Sequence, residues 1–166
     1  MFDIVTDSAC DLTPDMVRQL GLTVVPFYVS TGGEHYLKEG QDIAVRDFYQ
    51  FMVDHPETLP KTSLPSLEDF EKVFREKAAA GRETLCLCFT GKMSGGVGSA
   101  RNARELVLED YPQAVIEVVD TGAATVSEGA AVLNAAAMRD AGCTLTETLT
   151  WLAGTRPTNQ IFFTVG

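Results

Sequence analysis

A glycine-rich loop with one serine follows a predicted strand and precedes a predicted helix. It runs from Gly91 to Gly96, and Ser94 and Gly95 lie at the expected start of the helix. The first amide groups of a helix lack intrahelical partners, so they can bind a carboxylate or a phosphate. Ser94 could equally be the N-cap of that helix, with the glycines easing the turn. The loop is therefore a candidate anion site, with helix capping as the alternative.

A second candidate segment presents two adjacent hydroxyl groups. Thr62 and Ser63 are flanked by prolines, and Pro65 favours an extended backbone at the residue before it, which should present both hydroxyls at the surface. Together, the hydroxyls of Thr62 and Ser94 and the amide of Gly95 would form a mostly uncharged set of donors suited to a carboxylate. Such a set predicts binding rather than catalysis, because it contains no reactive base.

Three further polar residues lie at the ends of predicted strands. Asp7 and Ser8 follow the first strand, where short polar side chains commonly hydrogen-bond neighbouring amides and hold a turn. Asp120 ends the fourth strand and could either cap the next helix or serve a ligand. All three are predicted to support the same site, and loop support alone is the alternative for Asp7 and Ser8.

The order of residues argues against a serine hydrolase. The strand, turn and helix around Ser94 superficially resemble a Gly-x-Ser-x-Gly nucleophile elbow, but Lys92 occupies the first glycine position. The only histidines, His35 and His55, precede Ser94, whereas these hydrolases need a histidine after the serine. No catalytic triad can therefore be assembled within this sequence. Together with the uncharged donor set, this favours a binding protein that is not an enzyme.

A phosphate- or nucleotide-binding domain is the stronger rival, because a glycine loop at a helix N-terminus suits phosphate as well. The sequence has no Gly-x-x-x-x-Gly-Lys-Ser/Thr motif. Gly96-Val97-Gly98 falls short of the dinucleotide-binding pattern because Arg101 occupies the third glycine position. In this interpretation Lys92 would contact the phosphate. A third alternative is an interaction module whose hydroxyl loops serve only as caps and turns.

The elements that would position these residues alternate along the chain. Turn signals and apolar periodicity predict five strands, over residues 2–6, 22–30, 84–90, 114–120 and 160–165. Capping signals predict helices after Thr13 and over about 44–53, 66–80, 95–109, 124–141 and 144–154. Gly32-Gly33 predicts a two-residue hairpin turn between residues 27–30 and 34–37, and the apolar 124–141 helix should be buried on most of its surface.

This alternation predicts an α/β fold with a mostly parallel sheet flanked by helices, a Rossmann-like three-layer sandwich, in one domain of residues 1–166. Ligands of such sheets bind beyond the carboxyl ends of the strands, where the candidate residues lie.

Composition limits the partners of the chain. Thirteen basic and 23 acidic residues give a net charge of −10, which would repel nucleic acid and acidic lipid surfaces. A mean hydropathy of +0.04 is typical of a soluble globular protein. The apolar runs are too short to span a membrane and no signal peptide is evident, so a cytoplasmic location is expected. The four cysteines lack metal-ligand spacing and predict reduced thiols and no metal.

Several of these motifs, taken together, resemble the DegV family of fatty-acid-binding proteins. They are Thr6-Asp7-Ser8, Val25-Pro26, Lys61-Thr62-Ser63-Leu64-Pro65-Ser66, and Ser94-Gly95 followed by Ser99-Ala100. The resemblance covers essentially all 166 residues and implies the amino-terminal domain of a bacterial carrier. It implies that a single long-chain fatty acid such as palmitate is bound without any cofactor, and that Thr62 and Ser94 hold its head group.

The resemblance also implies a protein partner. Some members of the family hand the acid to a separate fatty acid kinase, which phosphorylates the carboxylate to an acyl phosphate. Two features depart from the family pattern. The family usually has Ser-Gly-Thr where this chain has Ser94-Gly95-Gly96, which removes a hydroxyl from the loop. Members also continue into a second domain that helps enclose the acyl chain, so a truncation before that domain is expected.

Overall fold

A computed structural model describes residues 1–156, and a parallel sheet lies at its centre. The sheet consists of β1 (Asp3–Asp7), β2 (Thr23–Val25), β6 (Thr84–Cys88) and β7 (Ile116–Asp120), in the order β2-β1-β6-β7. Every pair of neighbours is parallel. The carboxyl ends of β1, β6 and β7 therefore meet at one edge, as the alternation of strands and helices predicts.

A smaller antiparallel sheet lies beside the first. Its central strand β3 (Tyr28–Ser30) pairs with β4 (Leu37–Lys38) on one side and β5 (Lys61–Ser63) on the other. The prediction of one continuous strand over residues 22–30 is wrong, because β2 and β3 belong to different sheets. Pro26 lies between them, and its missing N–H prevents continuous pairing there.

The hairpin predicted around Gly32-Gly33 is present, but its two-residue turn is wrong. Val29 pairs with Leu37, so residues 31–36 form a wider connection. Both glycines have positive φ, +126° and +75°, and Ser30 Oγ accepts a hydrogen bond from the Gly32 amide at 3.3 Å. This side-chain contact turns the backbone within a longer loop.

Six α-helices flank the sheets in the described part of the chain, and each predicted helix is confirmed. They are α1 (Pro14–Gln19), α2 (Val45–Asp54), α3 (Leu67–Ala79), α4 (Gly96–Asp110), α5 (Val126–Asp140) and α6 (Leu145–Thr155). A short 3-10 helix, Ser8–Cys10, follows β1. Thr13 caps α1 by accepting from the Met16 amide at 3.3 Å. The strand predicted over residues 160–165 lies outside the described residues.

Two apolar cores cover opposite faces of the parallel sheet. Side chains of successive strand residues point to opposite faces, so Ile4, Leu85 and Leu87 pack in one core while Val5, Cys86 and Cys88 pack in the other. The first core includes residues of α5 and α6, and the second includes residues of α3 and α4. This arrangement confirms the three-layer sandwich.

Helix α5 is buried along one face rather than on most of its surface, contrary to the sequence-based expectation. Ala130, Asn134 and Ala137 are exposed, while Val132 and Ala136 are buried. Alanine is apolar but small, so its exposure costs little and a run of alanines does not specify full burial. None of the helices within residues 1–156 has the length and apolar character needed to cross a membrane.

Helix α6 offers a direct test of a predicted cap. Thr144 Oγ1 accepts from the Glu147 amide at 3.2 Å, and Glu147 Oε2 accepts from the Thr144 amide at 2.7 Å, which forms the predicted capping box. We expect Thr144→Ala to lower the free energy of unfolding by about 1 kcal/mol, measured by urea denaturation. Thr146→Ala, at an exposed position of the same helix, is the control and should change stability by less than half as much.

Candidate functional site

Ser94 lies one residue before the N-cap of α4. The N-cap is Gly95, so the alternative that Ser94 itself occupies the N-cap position is wrong. Ser94 is half-buried, and its Oγ accepts a hydrogen bond from the Gly96 amide at 3.2 Å. Because the Ser94 oxygen accepts in this contact, the hydroxyl hydrogen remains available to a ligand. Gly95 is exposed and no other side chain caps the helix.

Thr62 and Ser63 form part of β5 and not a loop, which sequence patterns did not predict. The two residues pair with Val29 and Tyr28 of β3, and their side chains are exposed. No hydrogen bond of either hydroxyl is recorded within residues 1–156, so both are available as donors. The pairing with β3 gives Thr62 a defined position at the surface.

The segment after β5 packs against the loop before α4. A methyl group at Gly95 would lie 3.2 Å from Leu64 Cδ2, and a methyl group at Gly96 would lie 3.6 Å from Pro65 Cδ. The first distance is tight and the second is an ordinary van der Waals contact, so the missing side chain of Gly95 eases the close approach of the two segments. The structure thus places the segment that carries Thr62 beside the loop that carries Ser94.

A polar cluster holds the start of α3, which follows the segment that carries Thr62. Ser66 Oγ accepts from the Asp69 amide at 3.1 Å, and the Asp69 carboxylate accepts from Lys38 Nζ at 2.6 Å and from the Tyr28 hydroxyl. The predicted capping box of Ser66 and Asp69 is therefore only half formed, since the carboxylate binds the small sheet instead. Burial alone would raise the pKa of Asp69, but its hydrogen bonds with Lys38, Tyr28 and Ser66 lower it.

Asp7 and Ser8 hold backbone at the carboxyl end of β1. Asp7 accepts from the Phe89 amide at 2.8 Å and from the Ala9 amide at 3.1 Å. Ser8 Oγ accepts from the Phe27 amide at 3.0 Å and donates to a Glu39 carboxylate oxygen at 2.6 Å. The Ser8 hydroxyl has therefore already donated its hydrogen, and both residues hold neighbouring segments through their hydrogen bonds.

Asp120 is the last residue of β7, at the same edge of the sheet, and it does not cap α5. Its carboxylate accepts from the Gly122 amide at 2.8 Å and pairs with Arg156 at 3.2 Å, while the N-cap of α5 is Thr125. The capping alternative for Asp120 is therefore wrong. A methyl group at Gly91 would lie 3.1 Å from Asp120 Oδ2, so this carboxylate touches the start of the glycine loop.

Glu128 is a buried carboxyl group that sequence patterns did not single out. It lies in the first turn of α5 with an exposed fraction of 0%, and Thr6 Oγ1 donates to its Oε1 at 3.3 Å. Burial, followed by the nearby Asp7 charge, raises the pKa of Glu128 to about 10. Burial likewise raises the pKa of Asp7 to about 6, although amide hydrogen bonds oppose that shift. The only signal in the sequence was the position of Glu128 beside an apolar run of alanines, valine and leucine, which did not by itself indicate burial.

Comparison with known proteins assigns the chain to a family. The family model described as "Uncharacterised protein, DegV family" matches residues 1–166. The chain belongs to the DegV family. A DegV domain-containing protein of Streptococcus pyogenes is 37% identical over 164 residues, which is 99% of this chain and 57% of the relative. This DegV chain therefore spans just over half the length of that relative.

Two solved DegV-fold structures are similar to this chain. A stearic acid-binding protein from Eubacterium ventriosum is 40% identical with a TM-score of 0.89, covering 92% of this chain and 52% of that protein. A fatty-acid-binding DegV family protein from Thermus thermophilus is 35% identical with a TM-score of 0.78. The match covers 94% of this chain and 53% of that protein.

The surroundings of the DegV loop are apolar as well as polar. Leu64, which lies against Gly95, is 38% exposed, and Met93, which precedes Ser94 in the loop, is 59% exposed. Within residues 1–156 no group of three or more His, Cys, Asp or Glu side chains is placed to hold a metal ion. The site therefore combines uncharged donors with exposed apolar surface.

Gly96 marks the departure from the family's Ser-Gly-Thr pattern. A methyl group there would meet Ser94 Oγ and Pro65 Cδ at 3.6 Å each, which is ordinary van der Waals contact. The backbone of the loop is held instead by the hydrogen bond from the Gly96 amide to Ser94 Oγ. This DegV loop thus keeps a defined shape without the missing side chain.

Proposed function

We propose that this chain binds one long-chain fatty acid, such as palmitate, through its carboxylate. The Ser94 and Thr62 hydroxyls and the Gly95 amide are the proposed donors. Supporting roles are proposed for Ser63, Ser8, Asp7 and Asp120. The main support for this proposal is the packing of Leu64 against Gly95, because it brings β5, which contains Thr62, close to the loop that contains Ser94. Two hydroxyls and an amide suffice to fix a carboxylate.

Exposed apolar surface beside the donors favours a fatty acid over a phosphate as the ligand. Leu64, which lies against Gly95, and Met93, which precedes Ser94 in the loop, expose apolar surface with which the first methylene groups of an acyl chain would gain contact. A free phosphate makes no use of such surface. The fatty acids named for the Eubacterium ventriosum and Thermus thermophilus proteins support the same ligand class.

The proposed role is that of a carrier and not an enzyme. Ser94 Oγ accepts from the Gly96 amide, and no acidic or basic side chain hydrogen-bonds to it within residues 1–156. A serine without a base is a poor nucleophile. We propose that a separate fatty acid kinase phosphorylates the presented carboxylate, as the family resemblance implies, and that the protein acts in the cytoplasm. The free state of Cys10, Cys86, Cys88 and Cys143 suits a reducing compartment.

A comparison of two ligands with the same acyl chain tests the proposal. Palmitate and hexadecan-1-ol share their hydrocarbon tail, but only palmitate carries a carboxylate. We expect isothermal titration calorimetry to show one palmitate per chain and at least about tenfold weaker binding of the alcohol, because charge-assisted hydrogen bonds are lost. Equal affinity for both ligands would refute recognition through the carboxylate.

Lys92 distinguishes the carrier from the phosphate-binding alternative. The glycine loop at the N-terminus of α4 also suits phosphate, and Lys92 is the exposed cation within that loop. We expect Lys92→Ala to change palmitate affinity by less than about threefold, since exposed charges contribute little. Titration with palmitate and with adenosine triphosphate measures this. Strong nucleotide binding that disappears in the variant would establish the alternative instead.

A further inference from the structure

Two buried carboxyl groups lie near the carboxyl end of β1. Glu128 of α5 and Asp7 at the end of β1 both have exposed fractions of 0%. Glu128 accepts a hydrogen bond from Thr6, the residue before Asp7, and α5 packs closely on the 3-10 helix that Asp7 caps. Besides burial, the charge of Asp7 raises the pKa of Glu128, so the two carboxyl groups interact. Two buried carboxylates that interact repel each other, so a proton on one of them is favoured.

The hydrogen-bond partners show which carboxyl group is protonated. Asp7 accepts from two backbone amides, those of Phe89 and Ala9, and such donors stabilise an ionised carboxylate. Glu128 accepts only from the Thr6 hydroxyl, and its Oε2 has no donor within residues 1–156. An ionised Glu128 would leave that buried oxygen unsatisfied, whereas a protonated one uses it as a donor.

The other titratable groups around the pair agree with this assignment. Besides burial, Asp7 and Cys88 of β6 raise the pKa of Glu128, and Glu39 raises the pKa of Asp7. Burial and then the two carboxyl groups raise the pKa of Cys10 in the 3-10 helix to about 11. The Cys86 hydrogen bond together with burial raises the pKa of Cys88, so both thiols are neutral at neutral pH. The charge that disfavours an ionised Glu128 is therefore that of Asp7. Protonation of Glu128 relieves the repulsion.

Asp7 is connected to Ser94 through a short stretch of backbone. The Phe89 amide that donates to Asp7 belongs to the residue just before Thr90, and Thr90 O accepts from the Ser94 amide at 3.2 Å. The Thr90 amide in turn donates to Ala123 O at 2.9 Å. A shift of the Asp7 carboxylate would therefore be transmitted to the turn that presents Ser94.

We propose that Glu128 is a neutral acid that donates a hydrogen bond to ionised Asp7, and that this pair positions the loop presenting Ser94. Glu128 is thus a positioning residue and does not itself touch the ligand. Its effect on fatty-acid affinity rests on the proposed function, whereas its protonation and its effect on the loop do not.

The protonation has a measurable consequence for stability. Glu128 has an ordinary pKa of 4.5 and a folded-state pKa of about 10. Between these values the unfolded chain is ionised there and the folded chain is protonated, so unfolding releases one proton and stability falls as pH rises. This contribution is fully present below the ordinary pKa and is lost as the pH approaches the folded-state value.

Comparing the stability of the wild-type protein with that of Glu128→Gln isolates the contribution of that proton. Glutamine keeps a neutral donor but cannot titrate, and groups common to both proteins cancel in the difference. From about pH 6.5 to 8 we expect the ratio of the wild-type to the variant unfolding constant to rise about tenfold per pH unit, measured by urea denaturation. Glu68→Gln, an exposed glutamate in the first turn of α3, is the matched control and should show a constant ratio.

A second pair of variants tests the positioning of the loop. Glu128→Met fills a similar volume without a donor, whereas Glu128→Gln retains one. We expect the amide NMR signals of Phe89 and Ser94 to shift in the methionine variant and to stay near the wild-type positions in the glutamine variant. Palmitate affinity should fall at least about fivefold with methionine and stay within about twofold with glutamine.

Each outcome decides a separate part of the inference. A constant unfolding ratio for Glu128→Gln would overturn the neutral-acid assignment. Unshifted Phe89 and Ser94 signals in Glu128→Met would overturn the positioning role, and if that variant does not fold, altered signals in Glu128→Gln would do so. A wild-type protein that binds no palmitate would refute the proposed function alone, because the unfolding and NMR measurements need no ligand.

Discussion

Substituting alanine for Ser94 or valine for Thr62 is expected to weaken palmitate binding by about 1–2 kcal/mol or more in each case, because the carboxylate loses a hydrogen-bond donor. This corresponds to about a 5- to 30-fold rise in Kd. Ser94 Oγ already accepts from the Gly96 amide, which leaves its hydrogen free for the ligand. Thr62 is exposed and has no recorded hydroxyl partner within residues 1–156. Isothermal titration calorimetry with palmitate measures both losses.

The double variant tests whether the two hydroxyls serve one head group. Donors to the same carboxylate are coupled, so the two losses should not simply add. Thr146→Val is the control, because Thr146 is exposed on α6, which packs in the core on the face of the sheet opposite to α3 and α4. Unchanged palmitate affinity in both single variants would refute the proposed donors, even if the chain binds fatty acid elsewhere.

Alanine at Gly129 is expected to destabilise the fold by about 1–3 kcal/mol or more, because the added methyl group overpacks a rigid contact. A methyl group at that position would lie 2.4 Å from Cys10 O, which is a backbone atom and cannot rotate away. Helix α5 would have to move from the 3-10 helix that follows Asp7. Urea denaturation measures the change through the transition midpoint.

Gly98 provides a matched control for Gly129. It also lies inside a helix, α4, but a methyl group there meets nothing within 4 Å. Gly98→Ala should therefore stabilise the protein by about 0.5–1 kcal/mol through reduced backbone freedom and better helix propensity. Equal effects of the two substitutions would contradict the close packing of α5 on the 3-10 helix.

The three-layer architecture was predictable because its signals are local. Thr13 with Pro14 marks the start of α1, and Thr144 with Glu147 marks the start of α6, since each cap is formed by residues a few positions apart. The strands of the parallel sheet were also predictable as apolar runs. A fully buried strand needs apolar residues on both faces, as Thr84–Cys88 has.

Strand β5 of the smaller sheet was not predictable, because its pairing with β3 depends on contacts distant in sequence, unlike the local β3–β4 hairpin. Lys61–Ser63 contains no apolar residue and is exposed throughout, so nothing in the segment itself favours a strand. Its partner β3 supplies the pairing. A proline such as Pro26 indicates that a strand is interrupted, but which sheets β2 and β3 join depends on the whole fold.

The candidate site was predictable in its residue types but not in its arrangement. Ser94 and Thr62 stand out as hydroxyls in glycine- and proline-rich segments, whereas the contact of Leu64 with Gly95 needed the structure. Glu128 escaped notice because a glutamate in the first turn of a helix normally faces solvent and favours the helix dipole. Only the packing of α5 on β1 reveals that this one is buried.

Native mass spectrometry of the chain equilibrated with both palmitate and adenosine triphosphate distinguishes a fatty-acid carrier from a nucleotide-binding domain. We expect one palmitate per chain, and loss of that adduct in the Thr62→Val, Ser94→Ala double variant. A nucleotide adduct, or a wild-type chain that carries neither ligand, would contradict the proposed carrier.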